Sequence, residues 1–141
     1  MPDRVRLAVR RAVVARARGR CEYCRTPERF APEALSVEHI VPRSRGGTST
    51  AENLALACQG CNNHKYTRVS ERDPVTDRPV PLCHPRKHRW REHFAWNPDA
   101  TTVIGLTAIG RATIEVLRLN RSGLIGLREA LVAFGAHPPE E

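Results

Sequence analysis

Cys21-Glu22-Tyr23-Cys24 and Cys58-Gln59-Gly60-Cys61 are two Cys-x-x-Cys pairs within one chain of 141 residues. Matched pairs at this spacing are the pattern of a tetrathiolate zinc site in a reducing compartment, where thiols persist as ligands and do not oxidise to disulfides. Four thiolates fill a tetrahedral zinc ion and leave no position for water, so this metal is expected to be structural. Bringing the pairs together clamps the ends of a segment too small to bury a core of its own. Zinc binding at such sites contributes on the order of 10 kcal/mol to folding. The fifth cysteine, in Pro81-Leu82-Cys83-His84-Pro85, has no x-x-Cys partner and reads as a small buried hydrophobe.

Between the pairs, Ala34-Leu35-Ser36-Val37-Glu38-His39-Ile40-Val41 alternates apolar and polar residues like a half-buried strand, and Pro42 ends it. Arg43-Ser44-Arg45-Gly46-Gly47-Thr48 reads as a loop whose glycines permit positive φ. Ser49 and Glu52 have capping-box spacing, which predicts a short helical turn. Leu54 and Leu56 alternate again toward Cys58, and Cys61-Asn62-Asn63-His64-Lys65-Tyr66-Thr67 reads as a helix running on toward Arg68.

Taken together, Glu38-His39-Ile40-Val41-Pro42, Arg43-Ser44-Arg45-Gly46-Gly47, Glu52-Asn53-Leu54 and Cys58-Gln59-Gly60-Cys61-Asn62-Asn63-His64-Lys65 closely resemble the zinc-containing branch of the HNH endonuclease family. The order His39, Asn53, Asn62 is the pattern that names the family, with asparagine in place of the final histidine, and the resemblance covers residues 21 to about 66. It implies an α+β chain built on a ββα-metal core, two antiparallel strands and a helix around one catalytic divalent cation, stapled by the tetracysteine zinc site.

Phosphodiester hydrolysis needs a base to take a proton from water and a cation to stabilise charge on the phosphate and the leaving oxygen. The resemblance makes His39 the general base, a role that suits an imidazole whose ordinary pKa of about 6.5 leaves much of it neutral near pH 7. It makes Glu38 and Asn62 the metal ligands, with glutamate where the family usually has aspartate. Strand neighbours point to opposite faces, so Glu38 and His39 diverge unless the strand end bends at Pro42. A carboxylate and an amide are hard oxygen donors that favour Mg2+ or Mn2+. Asn63 and His64 are the competing ligands beside Asn62. Some relatives carry a further histidine where this chain has Tyr66, which weakens any case for a tightly held transition metal. Asn53 is expected to tie the loop to the strand and orient His39. Arg43, Arg45 and Lys65 lie close to the motif and are candidates for contacting DNA phosphates, though a basic loop is also simply a solvated one.

Outward from this core, the first twenty residues carry seven arginines against the one acid Asp3. Val5, Ala8, Val9, Ala12 and Val13 recur at helical steps, which predicts a docked amphipathic helix closed by Gly19. A cleaved presequence is the other reading of this composition. On the C-terminal side, Asp73-Pro74 through Pro81 cannot continue a helix, so residues 1–72 are expected to form the nuclease domain and 73–81 a linker. Residues 82–141 then form a small α/β extension: a hairpin around Asn97-Pro98-Asp99-Ala100 and two helices, near 107–118 and 121–134. His84-Pro85-Arg86, His93-Phe94-Ala95-Trp96 and Gly105-Leu106-Thr107 resemble the sequence that follows the motif in one group of bacterial HNH proteins. Trp90, Phe94 and Trp96 are expected to be that extension's core and not a base-stacking platform.

The charge balance is +8 and the isoelectric point near 10.1, which points to a polyanionic partner. All but Lys65 and Lys87 of the 23 basic residues are arginine. The longest uncharged stretch, Ala100 to Gly110, is far short of the roughly 20 residues a membrane span requires. The leading expectation is a metal-dependent DNA endonuclease, cytoplasmic, monomeric or weakly dimeric, carrying structural Zn2+ and catalytic Mg2+ or Mn2+. A catalytically inactive, zinc-stapled nucleic-acid-binding module is the alternative, favoured by Glu38 in place of aspartate. A protein-interaction zinc ribbon fits the charge and His39 less well.

Overall fold

The structure, a computed structural model, describes residues 5–140. They fall into two compact units, one comprising residues up to 69 together with 84–87, the other 70–83 and 88 onward.

In the first unit, helix α1 (Leu7–Ala17) precedes a hairpin of β1 (Ser36–His39) and β2 (Leu54–Ala57), and α2 (Gln59–Lys65) follows directly. The strands are antiparallel, with Val37 opposite Leu56, Glu38 opposite Ala55 and His39 opposite Leu54. Every residue of β2 is buried, its leucines alternating with small alanines, and α1 packs against the strand. Fully burying Leu54 and Leu56 contributes about 1.5–3 kcal/mol each. Helix α1 docks through its C-terminal half. Val13 and Ala17 are buried, whereas Ala8 and Ala12, expected on the apolar stripe, are exposed. The helix ends with both Arg18 (φ 55°) and Gly19 (φ 66°) left-handed, their amides returning to Val14 and Ala15 carbonyls.

Helix α2 begins earlier and ends sooner than its sequence pattern predicts. Cys58 caps it, its Sγ accepting the Cys61 amide at 3.5 Å, and Tyr66, at φ 50°, stops it before Arg68. The turn before β2 also differs: Ala51–Asn53 is a short 3-10 turn preceded by Thr50, and Ser49 does not cap it. Between β1 and that turn, the loop folds tightly at Gly47, where any Cβ would overlap the Val41 carbonyl oxygen.

The second unit overturns the expected linker. Residues 73–81 are the turn and second strand of a hairpin, β3 (Ser70–Arg72) pairing antiparallel with β4 (Pro79–Pro81). The prolines that argued against structure are tolerated because a two-stranded hairpin leaves amide positions off the ladder. The buried Asp73 organises the turn. Its carboxylate accepts from the Val75 and Thr76 amides and the Thr76 hydroxyl, and from Arg111 in two bonds of 2.8 and 2.9 Å. The guanidinium holds the Asp73 carboxyl well below the usual carboxylate range. A single turn α3 (Trp90–His93) leads into the hairpin β5 (Phe94–Trp96) and β6 (Val103–Gly105). Helices α4 (Ala108–Leu117), capped by the Thr107 hydroxyl, and α5 (Ser122–Ala133) complete the unit. Trp90 and Phe94 are buried with ring centroids 5.2 Å apart, and the buried Arg128 lies 5.1 Å from the Trp96 ring. Cys83 is buried here, its amide donating to Thr113 Oγ1.

Candidate functional site

The four cysteines of the two pairs converge, all buried, with their sulfurs within 4.8 Å of one another. A zinc–sulfur bond of about 2.3 Å implies tetrahedral edges of about 3.8 Å. Cys24 Sγ and Cys58 Sγ are 3.7 Å apart, so the cluster fits zinc in both donor type and size. Thiol hydrogen bonds from Cys21, Cys24 and Cys61 pull Cys58 far below the ordinary thiol range, while burial pushes Cys21 up. Zinc binds such a cluster as thiolates, so loading the metal releases the protons that the sulfurs still share.

The residues inside the first knuckle connect this cluster to the rest of the unit. Glu22 exchanges backbone and side-chain bonds with Leu56 of β2, and its other carboxylate oxygen pairs with Arg86. Arg86 belongs to residues 84–87, which the sequence assigned to the extension but which pack as part of the first unit. Tyr23, buried between the two cysteines, donates its hydroxyl to Glu38 Oε1 at 3.1 Å.

Glu38 and His39 lie on opposite faces of β1. Glu38 is buried and His39 half-buried, the divergence that strand geometry dictates. Beneath the strand, Lys65 Nζ sits 3.2 Å from Glu38 Oε1 and donates to the Ile40 carbonyl at 2.8 Å. Burial raises the Glu38 pKa, and the ammonium and the Tyr23 hydroxyl act against that rise. Glu38 Oε2 is buried and has no hydrogen-bond partner among the described residues. Lys65 is only 2% exposed, so it is not a surface lysine that meets phosphate. That expectation is corrected: the last residue of α2 turns inward and neutralises the carboxylate.

A prediction separates the two roles for Lys65. Lys65→Met strands a buried carboxylate and should cost about 3–5 kcal/mol, read as a lower Tm. A double-mutant cycle with Glu38→Gln should show the pair coupled, the double mutant losing less than the sum of the singles. Unchanged stability with weakened DNA binding would return Lys65 to the surface role.

On the other face, His39 Nε2 is 2.9 Å from Ser49 Oγ. The ring nitrogen and the hydroxyl share one proton, and either can be the donor according to the imidazole tautomer. Asn53 closes the loop: its Oδ1 accepts the Val41 amide at 2.9 Å, and its Nδ2 donates to the Val41 and Thr48 carbonyls. The turn carrying Asn53 is gripped from α1, where Arg16 donates to the Ala51 carbonyl at 3.0 Å and the Leu54 carbonyl at 2.7 Å. Asn62 is half-buried in α2, three residues before Lys65 and hence on a neighbouring line of the same helix surface. Asn63 and His64 are exposed, as is Tyr66. Arg43 is exposed in the loop, and Arg45 Nε donates to the Thr67 carbonyl at 2.7 Å.

Residues 21–68 match the family model described as HNH endonuclease. They form an HNH domain. No curated protein and no solved structure matches the chain. Tyr23, Ser49 and Arg16 are contributors to this domain's site that sequence reasoning missed. Ser49 had a competing local explanation as a cap, and Arg16 lies before the matched segment.

Proposed function

We propose that the HNH domain is a metal-dependent endonuclease acting on DNA. The observation that carries this reading is His39 at the edge of the ββ hairpin, half-buried, its Nε2 held by Ser49 and its loop fastened by Asn53. Glu38, through Oε2, and the amide oxygen of Asn62 would hold Mg2+ or Mn2+ once Lys65 releases the carboxylate and the end of β1 turns it toward the His39 face. Such a cation supplies stabilisation of the charge developing on the phosphate and leaving oxygen. His39 takes the proton from the attacking water, and the bond to Ser49 keeps the ring in the productive orientation. Asn53 fixes the loop against which the ring rests. Arg43 and Arg45 contact phosphates. The scissile bond leaves a 5′-phosphate and a 3′-hydroxyl.

One observation favours the second reading, a zinc-stapled binding module without catalysis: the ammonium of Lys65 already faces Glu38. The discriminating experiment is conversion of supercoiled plasmid by zinc-loaded protein with Mg2+, Mn2+ or no added divalent ion. Nicked or linear product that requires the added ion is expected. Retained DNA binding with no product under any ion would leave the binding module as the function.

A further inference from the structure

We infer that the N-terminal end of α1 is a second nucleic-acid contact surface, a cluster of arginines without acidic neighbours in the helix that grips the phosphate backbone of duplex DNA and is held in register with the His39 loop by Arg16. This rests on the reading of DNA as substrate. It deepens that reading by assigning the contact to residues before the HNH-matched segment.

The helix Leu-Ala-Val-Arg-Arg-Ala-Val-Val-Ala-Arg-Ala contains no acidic residue. Arg6, Arg10, Arg11 and Arg18 are all exposed, and the first three, one at the N-cap and two in the helix, precede the docked half at Val13 and Ala17. Like charges four residues apart, as at Arg6 and Arg10, disfavour the helix by a few tenths of a kcal/mol per pair. No interleaved glutamate relieves them. Such a surface is matched by a polyanion, and the planar guanidinium fork pairs with phosphate oxygens in two bonds. At about 1.5 Å per residue, the eleven-residue helix is roughly 16 Å long, enough to run beside several phosphates of one strand.

Registration distinguishes this surface from a merely solvated basic face. Arg16 turns toward the loop instead of standing out with the others. Its guanidinium bonds the Ala51 and Leu54 carbonyls on either side of Asn53, whose side chain in turn closes the loop leading to Ser49 and His39. A phosphate held on α1 is therefore held at a fixed offset from the proton-accepting imidazole. The buried position of Lys65 strengthens the assignment, because it removes one of the cations that the motif itself offered to DNA.

The test measures binding of a fluorescein-labelled duplex of roughly 20 base pairs by anisotropy across about 50–200 mM salt, with no divalent ion added. The protein is full-length and zinc-loaded, in a non-cleaving His39→Ala background. Replacing Arg6, Arg10 and Arg11 together by Gln should flatten the plot of log K against log salt by roughly 2.7, about 0.9 for each phosphate no longer neutralised. Gln is a good helix former and relieves the like-charge pair, so the far-UV circular dichroism should be kept and Tm should not fall. The triple Arg→Lys variant should keep most of the slope. An unchanged slope in the folded Gln variant would overturn the proposal while leaving the nuclease reading intact. A parent protein whose DNA affinity is insensitive to salt would overturn both. Loss of binding to phosphatidylserine vesicles, with the DNA slope unaltered, would reassign the surface to a membrane.

Discussion

Removing zinc should unfold the HNH domain. Structural zinc contributes on the order of 10 kcal/mol, comparable to the roughly 5–15 kcal/mol by which whole domains are stable. The core of this unit is small: beyond the knuckles its buried apolar residues are chiefly Val13, Leu35, Ile40 and the four residues of β2. The cluster also anchors the two elements that define the site, since Cys58 caps α2 and Tyr23 reaches Glu38 from between two ligands. A chelator such as TPEN, or Cys58→Ser, should abolish the cooperative melt of this unit and make the four clustered thiols reactive toward Ellman's reagent. DNA cleavage should disappear with it, including when Mg2+ or Mn2+ is present in excess. Metal-free protein that melts cooperatively at the holo temperature, with its thiols still protected, would mean that apolar packing suffices and the cluster is not structural.

The contrast between what could be read from the chain and what could not follows from the range of the interactions concerned. The cysteine spacing, the alternation in β1 and β2, and the Asn97–Ala100 turn are local patterns, and they match the elements observed. For Asn53 the family resemblance supplied the expectation that it ties loop to strand, and its side chain bonds Val41 and Thr48. The place of Lys65 was not legible. Whether the last residue of a helix faces water or a carboxylate under the adjacent strand depends on how α2 crosses β1, and no periodicity encodes that. Ser49 was claimed by a capping pattern that loses locally to Thr50, freeing its hydroxyl for His39. The hairpin over 70–81 was hidden by its prolines. What holds it is the long-range bidentate bond between Asp73 and Arg111. Arg86 pairs with Glu22 across most of the first unit's sequence, so a boundary placed by composition separated two residues that pack together.

His39→Ala should reduce DNA cleavage by about 10²- to 10⁴-fold, the usual contribution of a positioned general base, while changing DNA affinity by no more than a few fold. The asymmetry follows from the position of the side chain. It is half-buried with its Nε2 bonded to Ser49, so its removal takes away a proton acceptor without opening the core or removing a cation that binds phosphate. Tm should therefore stay close to that of the parent protein. This separates His39 from Lys65, whose loss is expected to act through stability. Ser49→Ala provides the internal gradation: it leaves the base but releases its ring, so kcat should fall by less than in His39→Ala, with KM little altered, and Ser49→Thr should restore it. A His39→Ala protein that cuts at the parent rate would remove His39 from the chemistry. Equal defects in His39→Ala and Ser49→Ala would instead mean that the ring is useless unless oriented, making the hydroxyl as necessary as the base it holds.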